Sequence, residues 1–98
     1  MEIKREGNRV IIIGNIKSIE DYEKIRNELE NIKQTNSFIH IDIKNSISIT
    51  SSLIGYLYKL IEKDKINLSM EIGNNTLYEI LEDLDLIKKF NVRKNNEY

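Results

Sequence analysis

Three consecutive hydroxyl residues, Thr50, Ser51 and Ser52, are the part of this sequence best suited to chemistry. An apolar repeat typical of a helix follows them, so they occupy a predicted helix start, where hydroxyls accept hydrogen bonds from unpaired backbone N–H groups. A phosphate would also be stabilised there, because free N–H groups and the positive end of the helix dipole attract anions. The residues alone favour the capping role and leave phosphorylation as the alternative.

The other side chains that could support catalysis are few. The chain has no cysteine and a single histidine, His40, which excludes disulfides, zinc–cysteine sites, iron–sulfur clusters and multi-histidine centres. The sequence contains no glycine-rich phosphate loop, no nucleophile–base pair and no cluster of carboxylates. We therefore expect a protein without enzymatic activity, cofactor or metal. Asp42 ends a predicted strand, and we expect it to accept backbone N–H bonds from the following loop.

Size and charge limit the classes of partner. Ninety-eight residues suffice for one domain, and 15 basic against 16 acidic residues leave a net charge of −1. A protein that binds nucleic-acid phosphates needs a basic surplus, so we expect no nucleic-acid partner. The longest apolar run, residues 10–13, is far shorter than the ~18 residues of a membrane helix, and charges stand where a signal peptide would be apolar. The expected location is the cytoplasm, without membrane insertion.

The hydrophobic patterns predict alternating strands and helices. Gly7-Asn8 predicts a tight turn between strands at residues 3–5 and 9–13, and four consecutive β-branched residues at 10–13 indicate a strand buried on both faces. Ser18 is a predicted N-cap. Alternation and helical spacing predict the later elements: helix Ile19–Lys33, strand Phe38–Ile43, a helix capped by Thr50 that ends near Asp64, strand Asn67–Ile72, and a helix whose capping box is residues 76–79.

The predicted order, β-β-α-β-α-β-α, belongs to the α/β class. Strands that alternate with helices form parallel sheets with right-handed crossovers, and the opening hairpin adds an antiparallel edge strand. We therefore expect a single domain over residues 1–93, built on a mixed sheet with a parallel centre. Residues 94–98 are predicted to form a frayed C-terminal tail.

In their order and spacing, three stretches resemble a STAS domain, the module of bacterial anti-sigma factor antagonists. They read IIIGNI at 11–16, FIHIDIKNSISITSSLIGYL at 38–57 and LEDLDLIKKFNV at 81–92, and they span nearly the whole chain. The chain departs from the family motif Asp-Ser-Ser-Gly, because Thr50 replaces the Asp and Leu53 replaces the Gly. An acidic residue of the first loop is also replaced, by neutral and basic residues at 15–17. The residues at matching positions are Asp42, Ser51, Ser52, Gly55, Leu84, Leu86 and Phe90.

The resemblance implies a STAS-like fold and a regulatory function without catalysis. In such proteins a partner anti-sigma kinase phosphorylates the second serine of the motif, and the unphosphorylated form binds that kinase and frees a sigma factor. The matching phosphoacceptor is Ser52, next to Thr50 and Ser51. The partner surface expected from two loops and the exposed helix face comprises Asn15, Ile16, Lys17, Asn45, Ser46, Ser52, Gly55, Tyr58 and Lys59.

Two alternatives use the same surface. Some stand-alone STAS proteins are subunits of lipid-transport ABC complexes and dock on the ATPase. Such proteins often lack the full motif, and Thr50 and Leu53 favour this alternative. The other alternative is a scaffold or homodimer that is not phosphorylated. For Tyr58, a place at the edge of the core is the alternative to a partner contact.

Overall fold

The computed structural model describes residues 1–95 and contains five strands and three helices. Their order along the chain is β-β-α-β-α-β-α-β, one strand longer than predicted. The elements are β1 (Glu2–Glu6), β2 (Arg9–Ile13), α1 (Ile19–Lys33), β3 (Phe38–Ile43), α2 (Ser51–Glu62), β4 (Asn67–Ile72), α3 (Asn75–Asp83) and β5 (Val92–Lys94).

The five strands form one sheet in the order β1-β2-β3-β4-β5, antiparallel between β1 and β2 and parallel elsewhere. This confirms the predicted α/β class and the mixed sheet with a parallel centre. Each helix connects a strand to its next neighbour in the same direction, and right-handed crossovers therefore place all three helices on one face. The core lies between that face and the helices, where alternate strand residues such as Ile39, Ile41 and Ile43 are buried.

Strand β2 is buried on one face, which corrects the prediction of burial on both. Val10 and Ile12 face the helices and are fully buried, whereas Ile11 and Ile13 are only partly covered. No helix packs on the second face of the sheet within residues 1–95. The run of β-branched residues therefore reflects the preference of these side chains for the extended backbone rather than two-sided burial.

A side chain satisfies an unpaired backbone N–H group at the start of each helix. Ser18 Oγ accepts from the Asp21 N–H and Thr50 Oγ1 from the Leu53 N–H, both at 3.1 Å, as predicted. The third helix begins earlier than predicted, because Asn74 supplies its N-cap. Asparagine is at least as good an N-cap as threonine, and a cap at this earlier position makes the helix longer than predicted. None of the helices in the described part of the chain has both the length and the apolarity to cross a membrane.

The last element of the described residues is a strand that the sequence did not predict. In β5, Val92 pairs with Met70 and Lys94 with Ile72, and the Asn95 N–H donates to the Ile72 carbonyl at 2.9 Å. Residues 94 and 95, which the sequence assigns to a frayed tail, are therefore hydrogen-bonded to β4, while residues 96–98 of that predicted tail lie outside the described part. A strand of three residues is too short to show an alternation of apolar and polar side chains, so the local sequence could not predict its pairing with β4.

The sheet face opposite the helices holds a buried carboxylate, Asp42. Its Oδ2 accepts from Arg9 Nη2 at 2.6 Å and lies 2.8 Å from Lys44 Nζ, and its side chain is 1% exposed. We expected Asp42 to accept backbone N–H groups of the following loop, but its partners are these two cations. Since water is excluded from this carboxylate, the cations balance a charge that would otherwise be costly to bury.

Replacing Asp42 with asparagine should destabilise the domain. Asp42→Asn keeps the shape of the side chain but removes the charge that both cations contact, so we expect the free energy of unfolding to fall by about 2 kcal/mol. The matched control is Glu71→Gln, because this more exposed carboxylate lies 4.0 Å from Arg9, and we expect a change below about 0.5 kcal/mol. Urea denaturation measures both, and equal losses would contradict the assignment.

His40 should make the stability of the domain depend on pH. Its Nδ1 lies 2.6 Å from the Ser69 hydroxyl, and burial lowers its pKa by desolvating the charged ring. The unfolded chain then binds a proton at a higher pH than the folded chain, so stability decreases as the pH falls below about 6.5. In denaturation between about pH 7.5 and pH 5, His40→Gln should show a smaller decrease than the wild type. Identical pH profiles would refute this role of His40.

Candidate functional site

The loops after β2 and β3 meet at the sheet edge where the parallel strands end, and two asparagines join them. The Gly14 N–H donates to Asn45 Oδ1 at 2.7 Å, and the Ile47 N–H donates to Asn15 Oδ1 at 2.9 Å. Each loop thus supplies a side-chain acceptor for the backbone of the other. Loops positioned by a rigid scaffold often carry the binding residues of a protein. We call residues 14–18 and 44–50 the loop edge.

Beneath this surface, two serines hold the same loops together. Ser46 Oγ accepts from the Ile16 N–H at 3.0 Å and donates to the Ser48 carbonyl at 2.7 Å. The Ser48 hydroxyl donates to the Ile16 carbonyl, also at 2.7 Å. These bonds satisfy backbone groups that the loops would otherwise leave unpaired away from water.

Two predicted partner contacts lie inside the protein. Ile16 and Ser46 are both 0% exposed, so neither side chain can touch a partner. Ile16 anchors the first loop in the core, and Ser46 bonds across the loops. The sequence did not indicate this burial, because burial of a loop side chain depends on how the neighbouring loop packs. Asn15, Lys17 and Asn45 are exposed, as a binding surface requires.

The loop after β4 approaches the loop edge closely through Gly73. Its N–H donates to the Ile43 carbonyl at 2.9 Å, and a Cβ at this position would lie 2.1 Å from the Lys44 carbonyl oxygen. Only glycine allows this approach. A shallow cavity of about 550 Å³ opens beside the contact and is lined by Ile13, Lys44, Asn45, Gly73 and Asn74.

The three hydroxyls at the start of α2 have different roles. Thr50 is the N-cap, whereas Ser51 and Ser52 are exposed in the first helical turn. Thr50 therefore caps the helix, and the hydroxyl of Ser52 is not needed as a cap. The first turn of α2 has no acidic residue, so an anion there would meet the positive end of the helix dipole without a competing carboxylate.

The face of α2 predicted for partner binding is open to solvent. Ser52, Gly55, Tyr58 and Lys59 are all exposed, and a Cβ at Gly55 would meet no atom within 4 Å. Tyr58 is 39% exposed and packs edge-on against Phe90, with ring centroids 5.3 Å apart. Tyr58 therefore lies at the edge of the core and is also exposed at the surface. Its position is compatible with both interpretations made from sequence, a core-edge residue and a partner contact.

Tyr56 is a residue of this region that the sequence analysis missed. It is 6% exposed, and its hydroxyl donates to the Glu30 carboxylate on α1. Burial raises the pKa of Tyr56, and hydrogen bonds from Lys33 and Tyr56 lower the pKa of Glu30. The spacing of Tyr56 from the buried Leu53 and Leu60 could have placed it on the core face, but nothing in the sequence indicated its partner on α1.

No group of three histidine, cysteine or acidic side chains within residues 1–95 could hold a metal ion. His40 and Asp42 lie on the open sheet face and pair with Ser69, Arg9 and Lys44, rather than with the hydroxyls of α2. The exposed side chains of the loop edge and α2 include amides, hydroxyls and cations, which suit contacts with another protein.

Two glycines near the site should respond oppositely to alanine. At Gly55 the added methyl has space, and alanine favours a helix interior over glycine by about 1 kcal/mol, so Gly55→Ala should stabilise the domain by up to that amount. At Gly73 the methyl would collide with the Lys44 carbonyl, and Gly73→Ala should cost about 1–3 kcal/mol. Thermal unfolding measures both. Destabilisation by Gly55→Ala would contradict the open surroundings described for it.

Comparison of the chain with protein-family models, curated proteins and solved structures found no match in any of the three. The function of the site is therefore inferred from its own residues, from the fold that positions them, and from the order and spacing of the motifs. The exposed residues of the loop edge and of α2 form the candidate surface, which includes the hydroxyl of Ser52.

Proposed function

We propose that this chain is a non-enzymatic regulatory module that binds a protein partner, in the manner of an anti-sigma factor antagonist. The partner would contact the loop edge and the exposed face of α2. Phosphorylation of Ser52 would release it. The observation that carries the proposal is the division of roles at the start of α2, where Thr50 provides the cap and the Ser52 hydroxyl remains exposed.

The electrostatics of the helix start support a phosphate at this position. A phosphoserine carries roughly −1.5 to −2 charges at pH 7, which the dipole and N–H groups of a helix start stabilise. The folded domain would tolerate the group, because the first turn of α2 contains no acidic residue. A partner seated on the same turn would have to desolvate that charge or repel it. Modification would therefore change binding while leaving the fold intact.

The bracing of the loops supports binding by a preformed surface. The bonds from Asn15, Asn45, Ser46 and Ser48 fix the loop edge in the absence of a partner. A surface that is already ordered loses little conformational entropy on association, so more of the contact energy appears as affinity. The buried side chains of Ile16 and Ser46 hold the loops in place. The exposed side chains of Asn15, Lys17 and Asn45 would make the contacts with the partner.

A second candidate is docking on the ATPase of a lipid-transport ABC complex. It is favoured by the two departures from the motif. Thr50 presents a capping hydroxyl where the motif has a carboxylate, and Leu53 is buried in the core at 1% exposure. The start of α2 thus lacks the acidic group that a kinase specific for the motif would contact. The same surface would then serve as a constant docking face.

Substitutions at Ser52 test the proposed switch. The chain and its Ser52→Asp and Ser52→Ala variants are used to capture partners from an extract of the native host. Ser52→Asp should lose the partner because it places a negative charge on the contact surface, whereas Ser52→Ala should retain it. The matched control is Ser51→Asp, which carries the same charge on the neighbouring exposed position and should weaken capture less.

The captured protein distinguishes the two candidates. A kinase-like partner retained by Ser52→Ala and lost by Ser52→Asp supports the antagonist function. An ABC ATPase captured equally by all variants supports docking instead. If Ser52→Asp and Ser52→Ala capture every protein equally, the proposal that phosphorylation of Ser52 releases the partner is contradicted.

A further inference from the structure

A groove of about 310 Å³ lies between α1 and α2, on the side of α2 that includes Gly55. Gly55 lines it without a side chain, and the buried Tyr56 lines it as well. We call it the α1–α2 groove. Its lining residues are Tyr22, Arg26, Glu30, Gly55, Tyr56 and Lys59.

The glycine at the centre of the groove is not explained by the fold of the chain itself. Gly55 lies in the interior of α2, where glycine costs about 1 kcal/mol relative to alanine. Its backbone contacts no neighbouring element closely, since a Cβ there would meet nothing within 4 Å. Its effect is to leave room above the helix, so a backbone from another molecule can approach α2 at this point.

The groove has an unbalanced positive charge. Glu30 is already engaged by Lys33, at 2.8 Å, and by the Tyr56 hydroxyl. Lys59 Nζ lies 3.2 Å from an Asp64 carboxylate oxygen that also binds Lys33. These two carboxylates therefore balance two lysines. Arg26 adds a third cation and forms no ion pair within residues 1–95.

We propose that the α1–α2 groove receives an aspartate or glutamate side chain of the protein partner, held between Arg26 and Lys59 while the partner backbone passes over Gly55. The charge surplus of the groove selects the carboxylate, because the planar guanidinium of arginine can bind a carboxylate through two parallel hydrogen bonds. This inference rests on the proposed function in one respect, namely that the partner occupies the exposed face of α2.

The position of Ser52 connects this groove with the proposed switch. Ser52 precedes Gly55 by three residues, and residues three apart lie on the same helix face about one turn from each other. A phosphate on Ser52 would add an anion about one turn from Gly55, over which the partner backbone would pass. Repulsion between this phosphate and the bound carboxylate of the partner then supplies the physical reason for release, in addition to the cost of desolvating the phosphate.

Peptide selection tests the groove with a probe that does not depend on which protein the partner is. The probe is a displayed library of random dodecapeptides, selected against the immobilised wild-type chain. Selected peptides should contain an acidic residue whose replacement by its amide weakens binding about tenfold, equivalent to about 1.4 kcal/mol. Arg26→Gln should remove that difference between acid and amide. The matched control is Arg93→Gln, an exposed cation on β5, which should leave it unchanged.

A larger side chain at Gly55 tests the close approach. Gly55→Leu should reduce binding of the selected peptides by about tenfold or more, while its thermal midpoint stays at or above that of the wild type, because leucine favours a helix interior over glycine and a Cβ here meets no atom within 4 Å. Binding of the peptides by Gly55→Leu as tightly as by wild type would overturn the groove proposal. So would selected peptides that lack an acidic residue or a selection that yields no binder.

These outcomes are independent of the Ser52 capture experiment. Peptides that depend on Arg26 and Gly55 would support the groove even if Ser52→Asp and Ser52→Ala captured the same proteins, which would refute only the switch. Peptides that ignore Arg26 and Gly55 would refute the groove while leaving the response to Ser52 variants intact.

Discussion

The direction of the three crossovers is the constraint on which the rest of the structure depends. Because each helix leads to the next strand on the same side, all three helices cover one face of the sheet. All loops that follow parallel strands consequently gather at one edge, and the start of α2 lies among them. The opposite sheet face has no helix layer within residues 1–95, and its one deeply buried carboxylate, Asp42, is balanced by Arg9 and Lys44.

That arrangement turns short loops into an ordered surface. The loop edge is held by side chains that bond the backbone of the facing loop, so its shape follows from Asn15, Asn45 and Ser46 rather than from a partner. Helix α2 then contributes an exposed hydroxyl at Ser52 and an open position at Gly55. A surface of this kind suits reversible association, because a charge added at one residue changes binding without disturbing the bonds that maintain it.

The sequence was sufficient for the elements with strong periodicity. The observed bounds of α1, β3 and β4 are those predicted, because their apolar positions recur at helical or alternating spacing over six or more residues. It was insufficient wherever a residue's environment depends on a distant segment. The burial of Ile16 and Ser46, the bond from Tyr56 to α1 and the pairing of β5 with β4 are all set by tertiary contacts. Ser52, by contrast, was singled out from its place at the predicted helix start and from the resemblance to the STAS motif, and it is exposed in the first turn of α2.

Mapping phosphate on the protein isolated from its native host tests the central claim most directly. Intact mass spectrometry followed by fragmentation would locate the added group. We expect a species heavier by about 80 Da, the mass of one phosphate, with the modification on Ser52 and the fold retained. Phosphate found only on another residue, or a chain that stays unmodified in every growth condition, would contradict it.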